Sequence, residues 1–164
     1  MSLWVFSDRQ LSTVAEWQAA IDAERYPLQL SAEMIFERLT GFFPMHLRGE
    51  LTGFECFHED AAAAIRDNAD IKFDRDWKYF LAFVWLGSKW KELLAAWMAG
   101  TAYARATDGV IYDGEAGKFV TPDEARRIVH ELEHPSPAQE VAMEEVRREL
   151  GAWIRSLAEG RGQE

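Results

Sequence analysis

The sequence predicts an α+β fold, in which a mostly antiparallel sheet of about four or five strands packs against helices and a C-terminal helix is appended. Three observations lead there. The run Tyr79–Leu86 is uninterruptedly apolar and too short for a surface helix, so it reads as a central strand buried on both faces. Directly after it, Trp90, Leu93, Leu94, Trp97, Met98, Thr101 and Ala104 recur at helical spacing, with Ser88 as the expected cap and Thr107-Asp108-Gly109 as the stop. Val110–Asp113 and Lys118–Thr121, joined by Gly114-Glu115-Ala116-Gly117, then have the form of a short hairpin. The expected division is an α+β domain over 1–134 and a helix over 135–164, packed on the domain or used for self-association.

The remaining elements follow from local chemistry. Ser12 or Thr13 can cap a first helix, with Glu16 at capping-box distance from Thr13. Val14, Trp17, Ala20 and Ile21 share one face of it, and Tyr26-Pro27 ends it. Ser31–Phe36 reads two ways, as a short strand entering a loop or as a further helical turn, and Gly41–Pro44 is expected to turn. Met45–Phe57 suggests an extended pair or a bent strand, with Gly49 and Gly53 permitting a turn or bulge. Asp60 is placed to cap Ala61–Ile65, and Thr121-Pro122-Asp123-Glu124 to start another helix with Thr at the cap and Pro at its first position. After His134-Pro135-Ser136-Pro137, the stripe Ala142, Val146, Leu150, Trp153, Leu157 marks the terminal helix.

Composition narrows the function. The 164 residues carry a formal charge of −10 yet are 48% hydrophobic and 13% aromatic, which predicts a substantial core rather than disorder. Without surplus Lys and Arg there is little to release counterions from a phosphate backbone, so nucleic-acid and anionic-membrane partners are not expected. The acid is dispersed over 1–40, 55–78 and 122–164, leaving 41–54 and 79–121 neutral. No basic stretch precedes an apolar segment of signal length at the start, and no apolar run has the ~20 residues of a spanning helix, so a cytoplasmic protein is expected. A single cysteine, Cys56, can form no internal disulfide and reads as a core thiol rather than a nucleophile paired with His58.

His130-Glu131-Leu132-Glu133-His134 matches H-E-x-x-H, in which two imidazoles one helical turn apart hold zinc while the Glu acts on bound water. A zinc hydrolase using His130, Glu131 and His134 is therefore the alternative function. Pro135 disfavours helical geometry at His134, however, and none of Glu140, Glu144 and Glu149 stands out as a third ligand. The competing reading is a polar helix end, where His is favoured by the dipole. The glycine loops fit no nucleotide fingerprint, and no nucleophile elbow is present, so no catalytic residue and no cofactor are expected. Trp90 and Trp97, seven apart on an apolar stripe, read as core. Glu55, His58 and Asp60 are candidates for a partner-facing edge, together with Asp74, Asp76 and Trp77, the last being the aromatic most expected at a contact surface.

Ala102-Tyr103-Ala104-Arg105-Ala106-Thr107-Asp108-Gly109-Val110-Ile111-Tyr112-Asp113, continued by Gly117-Lys118 and Thr121-Pro122-Asp123-Glu124-Ala125, carries a resemblance. With Glu16-Trp17-Gln18-Ala19-Ala20-Ile21 and Gly53-Phe54-Glu55-Cys56, it resembles small bacterial α+β proteins similar to the immunity proteins of toxin systems. The resemblance implies neutralisation of a toxin by direct binding, and its matching positions are helix stops, hairpin glycines and caps. The expected partner is thus another protein, with a basic toxin domain or a second copy of the chain among the kinds considered.

Overall fold

The computed structural model describes residues 1–86, 89–135 and 148. Its elements are β1 (Ser2–Ser7), α1 (Val14–Ala23), β2 (Leu28–Leu30), β3 (Thr40–Leu47), β4 (Glu50–Asp60), α2 (Ala61–Asp67), β5 (Tyr79–Val84), α3 (Trp90–Ala106), β6 (Val110–Asp113), β7 (Lys118–Val120) and α4 (Pro122–Glu133), with a 3-10 turn at Phe36–Arg38. All strand pairings are antiparallel. The fold is α+β as predicted, but its sheet has seven strands, in the order β2-β3-β4-β5-β1-β6-β7, rather than four or five. The two strands that the sequence reading did not anticipate are β1, which is apolar on both faces, and β2, which is too short to show a period.

The compact unit Met1–Val129 contains the whole sheet. Side chains alternate across the sheet, and register assigns each to a face. On one face, Leu3, Val5, Phe43, Met45, Phe54, Cys56, Leu81, Phe83 and Ile111 are fully or nearly fully buried beside α1 and α3. Trp17 of α1 centres this layer. Its ring meets Phe43 at 5.6 Å, Phe83 at 5.8 Å and Tyr103 at 5.4 Å, and its indole N–H donates to Ala99 O at 3.0 Å. Cys56 lies in the same layer as a fully buried free thiol, and burial pushes it far above its usual range. Trp97 is buried and Trp90 half-buried, as core packing requires.

On the other face, Phe6, Phe80 and Ala82 lie under α2 and the segment 68–78, where Trp77 joins them and Phe73 packs its edge on Phe6 at 5.1 Å. This cover reaches only part of the sheet.

Helix starts obey their caps. Glu16 N–H donates to Thr13 Oγ1 at 3.1 Å while the Glu16 carboxylate accepts from Ser12 N–H at 2.6 Å. Thr121 and Glu124 make the reciprocal capping box, with Thr121 N–H to Glu124 Oε2 at 2.7 Å and Glu124 N–H to Thr121 Oγ1 at 3.2 Å. Those bonds hold the Glu124 carboxyl below its usual range. Asp60 caps α2 through Ala62 N–H at 3.0 Å. The expected cap Ser88 lies outside the described residues, and Lys89 precedes α3 without a side-chain cap.

One expected turn is a strand instead. Gly41–Pro44 is not a turn but part of β3. A proline is tolerated there because Pro44 O accepts from Ser31 N–H at 3.3 Å, so its missing donor faces the side where β2 has already ended at Leu30. The turn comes later, at Arg48 and Gly49, both with positive φ (53° and 80°), which closes a two-residue hairpin between Leu47 and Glu50. Gly53 lies in the strand without a bulge, opposite Pro44.

Glu24 joins three helices at one end of this unit. It is ion-paired with Arg105 (2.8 Å) and Arg126 (3.4 Å), and Arg105 also donates to Asp123 at 2.6 Å. The Glu24 contacts lack hydrogen-bond angles at Arg105 Nε and Glu24 Oε2, so the attraction there is Coulombic. The unit that begins at His130 is described only through Pro135 and at Arg148, and the predicted terminal helix with its self-association stripe lies outside the described residues.

Candidate functional site: the open sheet face

Beyond the cover of α2, the second sheet face presents apolar side chains outward. Phe42 of β3 is 57% exposed, Leu51 of β4 70%, and Leu86, just after β5, 64%. Register sets Phe42, Glu55 and Val84 in one row across β3, β4 and β5, and Thr40, Phe57, Ala82, Trp4, Tyr112 and Phe119 in the next. Isolated exposed hydrophobics are ordinary, whereas several on one sheet face are not.

Two clefts lie on this face. One, of about 270 Å³, runs between Phe42, Glu55, Val84 and Leu86. The other, of about 340 Å³, lies between α2 and the sheet, with Trp4, Phe57 and Phe80 on its walls and Glu59, Asp60 and Asp67 at its edge. Val84 lines both. Glu55 and Glu59 are exposed and make no ion pair among the described residues, and Lys89, which also lines the first cleft, is paired with Glu92 at 2.9 Å, so these two carboxylates leave negative charge beside an apolar floor.

The structure separates the residues singled out from the sequence. Glu55 and Asp60 both line clefts on the open face. His58 points the other way, half-buried against Phe36 with ring centroids 4.7 Å apart, and its Nδ1 lies 3.3 Å from Gln10 Nε2. Asp74 and Asp76 are exposed in the covering segment. Trp77 is not the surface aromatic expected, because it is only 4% exposed. Its charged neighbours face solvent while the ring inserts beside Phe80 and Ala64, and the Arg75 guanidinium, paired with Asp8 at 3.2 Å, closes over it at 3.8 Å. The aromatics that do line the open face, Trp4, Phe42 and Phe57, were missed. Nothing but strand register separates them from their buried neighbours Leu3, Phe43 and Cys56.

His130 and His134 stack with centroids 4.7 Å apart and 29° between planes, and His134 N–H donates to His130 O at 3.1 Å despite Pro135. The His134 Nδ1 also lies 3.1 Å from that carbonyl. Among the described residues no group of three His, Cys, Asp or Glu is placed to hold a metal ion, and the candidates Glu140, Glu144 and Glu149 lie outside them. No helix of the described residues is long and apolar enough to cross a membrane.

Burial lowers the His58 imidazole below its usual range, with the Phe36 backbone and the Glu37 charge offsetting it in part. A lowered native pKa means that the unfolded chain takes up the proton first. The contribution of His58 is therefore complete above about pH 6.5 and is lost as pH falls through the lower native value. Urea unfolding at pH 8 and pH 5 should show a loss of stability on acidification that is smaller in His58→Gln; an equal loss in both proteins would remove His58 from that slope.

No family model, curated protein or solved structure matches this chain.

Proposed function

We propose that this chain acts by binding another protein, a basic one, through the open sheet face, and not by catalysis. One observation carries the reading: an apolar floor exposed at Phe42, Leu51 and Leu86 lies among the carboxylates Glu55 and Glu59, which lack ion-pair partners among the described residues. An apolar centre with a charged rim is what a protein interface needs, the centre for burial and the rim for steering a partner of opposite sign. The resemblance to immunity proteins makes a basic toxin domain the foremost kind of partner.

The test is a comparison of the full chain with Phe42→Glu/Leu86→Glu as bait in native cytosol. Both substituted positions are exposed, so urea midpoints should agree. The expected result is a basic partner that the unaltered chain retains at low salt, releases as salt rises, and loses on substitution. Retention of the same partner by the double variant, or of none by the unaltered chain, overturns the proposal.

A further inference from the structure

We propose that the cleft between α2 and the sheet seats a cationic side chain, an arginine or lysine, of the protein that docks on the open face; this rests on the protein-binding reading above. At about 340 Å³ the cleft is at the small end of ligand pockets, which run from roughly 300 to 1,000 Å³. Its aromatic walls are fixed before anything binds. Trp4 stacks on Tyr112 with centroids 5.3 Å apart and meets Phe80 edge-on at 5.7 Å, so the indole has little freedom to lose. An aromatic face attracts a cation more strongly when water is excluded, and a long alkyl stem suits the Phe57, Phe80 and Val84 surface beside it.

The charge at this cleft has one sign. Glu59, Asp60 and Asp67 line it, and no Lys or Arg does. Asp60 is engaged in capping α2 and Asp67 is ion-paired with Arg66 at 3.2 Å, whereas Glu59 has no ion-pair partner among the described residues. These carboxylates do not form a group able to hold a metal ion, which favours a cation that brings its own apolar stem. The chain itself shows the arrangement where the Arg75 guanidinium lies over Trp77. The source of the cation follows from continuity: the cleft shares Val84 with the Phe42–Leu86 cleft, so one occupant can fill both only if the cation is part of a longer chain.

The experiment titrates N-acetyl-arginine amide and N-acetyl-lysine amide into the full chain, with N-acetyl-norleucine amide as the uncharged control. The readout is the Trp4 indole N–H resonance, assigned with Trp4→Phe. The expected result is a saturable shift with a cationic amide, none with norleucine amide, and binding weaker by about fivefold in Glu59→Gln. An equal shift with norleucine amide, or none that saturates, overturns the cation seat while leaving the protein-binding reading to its own test. Tetramethylammonium binding about tenfold more tightly than either amide would assign the cleft to free small cations and overturn the docked side chain. Cationic-amide binding together with unchanged partner retention by Phe42→Glu/Leu86→Glu would overturn the docking assignment through the failure of the protein-binding reading.

Discussion

Trp17→Ala is expected to remove about 4 kcal/mol of stability, the largest loss from any single truncation among the described residues. Trp17 is fully buried and touches Phe36, Phe43, Phe83 and Tyr103, so its loss opens a cavity bounded by α1, α3 and the sheet at once. The indole N–H bond to Ala99 is lost with the ring, but the carbonyl left behind belongs to an α-helix and keeps its backbone environment. Domains are stable by only about 5–15 kcal/mol, so the urea midpoint should fall by a large fraction of its value. Trp17→Phe keeps much of the volume and should cost less than half as much. A loss below about 1 kcal/mol for the alanine variant would show that the aromatic cluster repacks around the gap.

Gly53→Ala is expected to cost about 3 kcal/mol, although Gly53 has an ordinary strand backbone. A Cβ there would sit 2.5 Å from Phe43 O and 2.5 Å from Phe42 Cζ. The exposed Phe42 ring can swing away, but the carbonyl belongs to the paired strand β3 and cannot. Gly49 provides the contrast: its φ of +80° makes any side chain strained, yet a Cβ there meets nothing within 4 Å, so Gly49→Ala should cost only about 1 kcal/mol. Urea unfolding of the two variants decides between them, and Gly49→Ala being the more costly would sink the steric account. Gly53→Ala should also weaken partner retention, because the ring it displaces belongs to the open face.

What could be read from the sequence was whatever a local signal fixes. Thr13 and Thr121 cap their helices with Glu16 and Glu124 as spacing requires, β5 lies at the middle of the sheet as its uniform apolarity implies, and the β6–β7 hairpin follows its glycines. Ser2–Ser7 has much the same apolar character as β5, but it is short, bounded by serines and shows no period-two alternation. Pro44 masked β3, since a proline signals a break unless its absent donor faces an unpaired edge. The site was less legible than the fold. Glu55 and Asp60 reach the open face, but Trp77 turns inward and Trp4, Phe42 and Phe57 turn outward, and this depends on which strands neighbour β1, β3 and β4 and on where α2 ends. A surface built from β1, the β3–β4 hairpin and β5, stretches far apart in sequence, leaves no spacing to recognise.

The place of β1 also sets a timetable for folding. Its two neighbours are residues 79–84 and 110–113, so β1 has no sheet partner until segments far along the chain have been made. At roughly 5–20 residues per second, synthesis leaves Ser-Leu-Trp-Val-Phe-Ser unpaired for several seconds, a hydrophobic segment open to chaperones or to its counterpart on a neighbouring polysome. Its pairings are non-local, so the central seam of the sheet should be among the slow steps of folding. Until those segments arrive, the strand that becomes a central seam of the sheet is an unpaired apolar edge.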